Sequence, residues 1–346
     1  MSFRTIQTRF DVLRGGVNIC QLQPIGNPII SCDASAEIKL SLSGSFIVPD
    51  TADLITDRIR PVLIVDGIEH GMGIFNVTTA GLSVSDSGLR STNIEGYDNG
   101  LLLRRYTILS RQDAYIPAGT RYDAAINALC VSAGITTLHM DATDAVISAA
   151  REDWEVGDNL LTVVNDLLSE INYRPIWFDR TGAAHAERYV RISDRTPERI
   201  YKADRESIIK RGYAKETDIW SNYNVFTAVV SSADLDTPLV ATASNTNESS
   251  KLSVQNRGRV PSPVVRLKNI AGQVELQQYV NNLLYKSMMT NETVTVETAL
   301  APEHEVYDAV QLSGTEIDGL YEEIGWEMEL GYNGTMTHTL RREVLI

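Results

Sequence analysis

The chain has 346 residues, a hydrophobic content of 43% and a formal net charge of −14, with a sequence pI of about 4.9. That length accommodates two or three packed units with cores of their own. General nucleic-acid binding and basic membrane-surface binding are excluded, because both need clustered Lys and Arg, and the basic doublets at 104–105, 210–211 and 341–342 are small and scattered.

The opening stretch, MSFRTIQTRFDVLRGG, has no apolar segment of signal-peptide type, and runs such as Val62 to Val65 are far too short to span a bilayer. Synthesis in the cytoplasm is therefore expected, where the sequons at Asn76, Asn247, Asn291 and Asn333 have no glycosylation meaning. Residues 1–97 read as a first β-module. Ala36 to Leu42 alternates polar and apolar residues, Arg58 to Val65 is apolar and β-branched, and Asp66-Gly67 signals a tight turn. Residues 73–79 and 91–96 continue the antiparallel meander. Strands from about 200–235 are expected to complete this module.

Residues 98–199 read as a mixed unit. Ile116 to Thr120 turns into a helix with Tyr122, Ala125, Ile126, Leu129 and Cys130 on one face and Gly134 at its end. A second helix follows Asp158, the predicted N-cap, with Leu160, Leu161, Val163, Val164, Leu167, Leu168 and Ile171 at helical spacing. The period then changes: Tyr173 to Phe178, the turn Asp179-Arg180-Thr181-Gly182, and Ala184 to Val190 make a two-stranded ribbon. Trp177 is expected to be buried between the second helix and the rest of this unit.

Residues 200–346 read as a second β-module. It holds strands at 224–231, 238–243, 293–298, 306–312, 320–330 and 336–344, and one helix over 272–288. A polar stretch, 244–259, is predicted to be a mobile or partner-ordered loop open to cleavage after Lys251, Arg257 or Arg259, because its Ser, Asn and Gln bury little apolar surface. The two β-modules echo one another. Each has an alternating strand, a Pro-containing bend (Pro49; Pro302), a strand ending in Gly (Gly67; Gly314) and a long strand pair.

Reactive constellations are scarce. The three cysteines, Cys20, Cys32 and Cys130, form no regular framework, although pairing of Cys20 with Cys32 stays open. The five histidines, His70, His139, His185, His304 and His338, show no metal-ligand spacing. HExxH, GxSxG and phosphate-cradling glycine patterns are missing from the sequence. His70 and His304, each beside Glu, read as solvated bends. Asp153 with Glu155, and Glu322 with Glu323, are acidic pairs without a supporting pattern. No catalytic, cofactor-binding or metal-binding residue is assigned, no cofactor is expected, and the chain is not expected to be an enzyme.

The series YDNGLLLRRY (97–106), AYIPAGTRYDAAINALCVSAGI (114–135) and NLLTVVNDLLSEINYRPIWFDRTG (159–182) resembles tail or baseplate hub proteins of bacteriophages, R-type bacteriocins and contractile injection systems. The stretches 221–245, 274–298 and 301–312 look similar to later parts of the same family. The resemblance implies an α+β, mostly antiparallel β fold, with two tube-like β-modules flanking the helix–ribbon unit as an outer buttress. It implies a homotrimer whose six modules join the sixfold tail tube to the threefold spike or fibre. Partners would be a tail tube or distal tail protein, a spike, fibre or tail-associated cell-wall-degrading protein, and the tape measure protein. The channel would pass tape measure and DNA during genome ejection without binding the DNA, and the virion or a tail-like particle would be the location, with no membrane anchor. The acidic charge suits such a conduit. Some members carry a cell-wall-degrading domain beyond the hub; with this sequence closing at Ile346, that activity is expected on another polypeptide. The alternatives are a hexameric distal tail or tube-type ring protein, a peptidoglycan- or glycan-acting enzyme, and a β-rich adhesin, which the lack of aromatic residues in 244–259 disfavours.

Overall fold

The computed structural model describes residues 4–84, 90–202, 208–216, 222–230, 238–267, 270, 272–289, 292–314 and 316–342. The fold is α+β and mostly antiparallel β. Its first seven strands are β1 (Ile6–Arg14), β2 (Val17–Asp33), β3 (Leu40–Ile47), β4 (Arg58–Val65), β5 (Ile68–Gly71), β6 (Phe75–Val84) and β7 (Arg90–Tyr97). Six of them pair in the order β1–β4–β6–β7–β3–β2, and β2 pairs back onto β1, so an antiparallel barrel closes. Closure leaves no sheet edge in this ring. Its interior is apolar: Phe10, Leu42, Phe46, Leu63, Phe75 and Ile94 are each at most 1% exposed, and Phe10 meets Phe46 edge-on at 5.0 Å. Asp66 and Gly67 both take positive φ, as a two-residue hairpin of the right twist requires.

The closed ring corrects one expectation. Among the described residues no strand from 200–235 completes the first module, because β1 itself seals it. A smaller correction concerns β3, which starts at Leu40 rather than at Ala36. Asp33 Oδ1 accepts from Ser35 N and Oγ at 2.7 and 2.6 Å, so the turn reversing the chain occupies the first half of the alternating stretch.

The middle unit contains α1 (Gly100–Arg105), α2 (Tyr122–Ser132), β8 (Leu138–Met140), α3 (Leu160–Glu170), β9 (Trp177–Phe178) and β10 (Ala184–Ala186). The expected faces of α2 and α3 pack together in a core of their own, which includes Tyr122, Ile126, Leu129, Leu160, Val164 and Leu168. Asn159, not Asp158, caps α3: its Oδ1 accepts from Thr162 N at 3.0 Å, while Asp158 holds Glu155 N. The ribbon's second strand is shorter than the sequence suggests, with a single bridge from Arg188 to Tyr173 beyond it.

The remaining elements are β11 (Arg199–Lys202), β12 (Ile209–Glu216), β13 (Val225–Val230), β14 (Leu239–Ser244), α4 (Val254–Arg257), β15 (Val265–Leu267), α5 (Gln273–Met289), β16 (Glu292–Ala299), β17 (Ala309–Ser313), β18 (Gly319–Glu329) and β19 (Thr335–Arg342). The predicted strand-end positions Ser231 and Val344 lie outside the described residues. Strands β13, β14 and β15 form a separate small sheet packed on α5 through Ala228, Val230, Ala241, Leu276 and Val280. The others pair in the order β12–β16–β19–β18–β17–β11.

That order repeats the first barrel. Numbered by position within its module, β2–β3–β7–β6–β4–β1 runs second, third, sixth, fifth, fourth, first, and so does β12–β16–β19–β18–β17–β11. The four pairings from second through fourth position are antiparallel in both. The copies differ at the seam. β17 pairs with β11 in parallel, and no pairing joins β11 to β12 among the described residues. The Pro bends and Gly-ended strands of the sequence echo fall at matching places, between the third and fourth strands and after the fourth. Strand β2 couples the modules: one edge pairs with β1 near its start and with β18 over Ile29–Asp33.

The stretch 244–259 holds more local structure than its composition suggests, including α4. Ser253 is fully buried, and Asn245 and Ser250 are 5% exposed. Asn224 Nδ2 donates to the carbonyls of Leu252 and Gly258 at 3.0 and 2.7 Å, and its Oδ1 accepts from Val260 N. Asn256 Nδ2 reaches the carbonyls of Glu248 and Ser250. Short polar side chains that satisfy neighbouring backbone order this loop without an apolar core.

Candidate functional site

Histidines separated in sequence meet inside the second module. His304, in the bend before β17, and His338, on β19, are both at most 2% exposed, with ring centroids 4.6 Å apart. His304 is therefore no solvated bend, whereas His70 lies half-exposed on β5. Glu323 of β18, fully buried, lies between the two rings. Its Oε2 meets His304 Nδ1 and its Oε1 meets His338 Nδ1, the latter at 2.5 Å. Beyond them, His304 Nε2 meets the Tyr201 hydroxyl, and His338 Nε2 lies 2.9 Å from Thr298 Oγ1. Thr298 Oγ1 also lies 2.8 Å from the Ala299 carbonyl, to which its one hydrogen is assigned. Burial pushes the Glu323 carboxyl up, but the His304 and His338 charges and hydrogen bonds outweigh it and hold the group at about 2.

The donor atoms of His304, Glu323 and His338 lie within 4.8 Å of one another, a gathering that the linear spacing did not reveal. The alternation Met336-Thr337-His338-Thr339-Leu340 was the available signal, because it puts His338 on the buried face with Met336 and Leu340. All four imidazole nitrogens have protein partners, so the set is a satisfied hydrogen-bond chain across β11, β16, β18 and β19. A cleft of about 370 Å³ borders its Tyr201–His304 end, between the second module and the β4–β5 hairpin. No Ser, Thr or Cys lines that cleft among the described residues.

The acidic pairs do not assemble a glycosidase site. Glu322 and Glu323 are consecutive on a strand and face opposite ways: Glu323 enters the histidine chain, whereas Glu322 pairs outward with Arg174 and Arg341. Asp153 pairs with Arg151 at 2.8 Å, and Glu155 is exposed. All three cysteines are free. Cys20 and Cys32 lie on one strand, roughly 40 Å apart at strand rise, so they cannot pair.

The turn Asp179–Gly182 lies where all three units meet. Asp179 Oδ1 accepts from Thr181 N and Ala183 N at 2.8 and 3.0 Å, fixing the turn. The Arg180 carbonyl accepts from Gly73 N of the first module at 3.1 Å, and the Gly182 carbonyl accepts from Asn99 Nδ2 at 2.8 Å. Toward the second module, Arg180 N donates to Glu305 Oε1 and Arg180 Nη1 to the Pro302 carbonyl, both at 3.3 Å. Burial pushes the Glu305 carboxyl up to about 7 and that of nearby Asp308 up to about 6. Behind the turn, His185 pairs with Asp179 at 2.9 Å and stacks on Trp177 at 4.3 Å. Burial alone lowers the His185 imidazole, but Asp179 and Glu187 outweigh it and carry it up to about 9.

Trp177 is buried, at 6% exposure, but not against α3. Consecutive strand residues face opposite sides: Phe178 joins the middle unit's core, and Trp177 joins the first module's cluster with Phe75 and Met72. The ribbon thus braces the middle unit onto the barrel.

No protein-family profile matches the chain, and no curated protein matches it in sequence. Solved structures do match. A tail protein from Neisseria meningitidis superposes with a TM-score of 0.70 at 14% identity, covering 98% of this chain and 97% of that one. The 43 kDa tail protein of a Shewanella oneidensis prophage also gives 0.70, at 10% identity over 97% and 99% of the two chains. A prophage tail protein from Listeria monocytogenes gives 0.59, at 12% identity over 96% and 94%. The chain has the fold of these phage tail proteins over nearly its full length.

Proposed function

We propose that this chain is a structural hub of a phage-type tail, a homotrimeric ring that joins a sixfold tube to a threefold spike or fibre and encloses the channel for tape measure and DNA. The observation that carries the reading is the strand order repeated in two modules of one chain. Three chains then supply six backbone-equivalent modules, so one face matches a hexameric tube while the other keeps threefold symmetry. The β2–β18 pairing makes the two modules of a chain one continuous sheet, and the edges of β11 and β12, unpaired with one another among the described residues, would suit cover by a neighbouring chain. The fold shared with phage tail proteins supports the setting. The role is mechanical rather than catalytic, and the saturated hydrogen bonds of the histidine chain support that assignment. Among the described residues no helix is long and apolar enough to cross a membrane. The mass of the purified assembly, by native mass spectrometry, tests the proposal. Three chains are expected, and one or six would overturn it.

A further inference from the structure

Between the middle unit, α5 and the outer face of β18 and β19 lies a cavity of about 250 Å³, whose lining includes Arg174, Tyr189, Lys286, Tyr307, Glu322 and Arg341. A second space of about 180 Å³ shares Tyr189 and Lys286 with it. The charge here is unbalanced, in a chain that is acidic overall. Glu322, 2% exposed, is fully engaged: Oε1 takes Arg174 Nη1 at 2.6 Å, and Oε2 takes Arg341 Nη2 at 2.9 Å. Asp33 also borders the cavity, but its Oδ1 is held by Ser35 N at 2.7 Å and the residue is exposed. Arg174 is sandwiched by tyrosines, 4.4 Å from the Tyr307 ring and 5.2 Å from the Tyr189 ring. That leaves Lys286. Its ammonium lies 4.9 Å from the face of Tyr189 and has no ion-pair partner among the described residues.

We propose that this cavity is an anion site, binding a small oxyanion of the phosphate or sulfate class through Lys286 Nζ, with Arg174 and Arg341 as its electrostatic frame. Three cations, Arg174, Lys286 and Arg341, beside the carboxylates of Glu322 and the exposed Asp33 leave one net positive charge in a partly buried space, where like charges repel more than in water. An oxyanion relieves that repulsion and accepts charge-assisted hydrogen bonds from the ammonium. Burial, reinforced by Arg174 and Arg341, pushes the Lys286 ammonium down, as befits a cation still lacking its counter-charge. The tyrosine rings exclude water from one side and give the site its concave wall. This inference concerns a contact within one chain and does not depend on the trimer reading.

The test is thermal unfolding of the full chain in phosphate, in sulfate and in chloride at matched ionic strength. Phosphate or sulfate tenfold above its dissociation constant is expected to raise Tm by roughly 2 °C or more over chloride. Lys286→Met keeps the stem and removes the charge; it is expected to abolish that shift and, in chloride, to unfold no lower than the parent. Lys286→Arg is expected to keep the shift, and so is Lys251→Met on the exposed loop. Equal Tm in all three salts would overturn the site, as would a shift that survives in Lys286→Met. Destabilisation of Lys286→Met by the same amount in every salt would reduce the lysine to a packing role and also overturn it.

Discussion

Replacing Glu323 by glutamine probes the buried chain that distinguishes the second module. In the native protein each carboxylate oxygen faces an imidazole Nδ1, and the residue is fully buried. Glutamine is nearly isosteric, so packing is preserved. One amide oxygen still accepts, but the amide NH2 is set against the other imidazole N–H, and the carboxylate charge between the two rings is gone. Removing one partner of a buried pair typically costs about 3–5 kcal/mol. The donor–donor conflict, about 1–3 kcal/mol when taken alone, overlaps with that loss and is not added to it. The expected destabilisation of Glu323→Gln is therefore about 3–5 kcal/mol at pH 7. It carries a pH signature as well. A carboxyl held at about 2 in the folded state against 4.5 unfolded contributes stability that is complete above pH 4.5 and disappears as pH falls through about 2. The gap between parent and variant should narrow over that window. Urea titrations followed by tryptophan fluorescence read this out, since Trp326 stands opposite His338 in the β18–β19 ladder. A loss below about 1 kcal/mol at pH 7, or a gap that stays constant on acidification, would refute an ionised Glu323 held between the two rings.

Two further outcomes are expected. Trp177→Ala should cost about 3–5 kcal/mol in equilibrium unfolding, as for a large buried aromatic; a shift under about 1 kcal/mol would show that the ribbon does not brace the barrel. Stability should also peak on the acid side, near pH 5. Burial raises Asp98 and Glu305 to about 7 and Asp308 to about 6, from 3.8, 4.5 and 3.8, so the folded state binds more protons than the unfolded chain across that window and loses stability as pH rises through it. His185, held at about 9 against 6.5, adds stability below pH 6.5 that is lost as pH climbs through 9. Depressed carboxylates such as Glu323 close the window from below. A Tm profile from pH 4 to 9 with its maximum at pH 7 or above would contradict this arrangement.

The helices were legible because each buries one stripe: every residue assigned to the inner face of α2 is buried, and so are all those of α3 except Ile171, its C-cap, which is only half-buried. The β4 boundaries and the Asp66-Gly67 hairpin were legible for the corresponding reason in strands. Long-range pairing was not. Nothing local tells that β1 returns to seal its own barrel, or that β11 and β12 pair with β17 and β16 rather than with the first module. The histidine chain shows the same limit. Alternation around His338 marks it as inward-facing, but its meeting with His304 depends on how β18, β19 and the bend before β17 close in space. The local structure of the polar loop was not legible because composition counts apolar burial and overlooks Asn224, a residue outside the loop whose amide spans it.

The two modules share a strand order and differ in what fills them, and the proposed role gives that contrast a use. The first barrel is closed and its core is apolar, so its stability is largely non-directional. The second shows no β11–β12 pairing among the described residues, and its interior carries Tyr201, His304, Glu323, His338 and Thr298, whose hydrogen bonds are satisfied in one strand register only. Covering those two edges with a neighbouring chain would require that register to be fixed beforehand, since a slip of one residue turns every side chain to the opposite face. A directional polar chain fixes it where apolar packing alone would tolerate repacking. An adapter also needs its six modules alike to the tube and unlike to the spike. Backbone order supplies the likeness. In the proposed trimer the ribbon turn braced by Arg180, present once per chain, would supply the threefold feature.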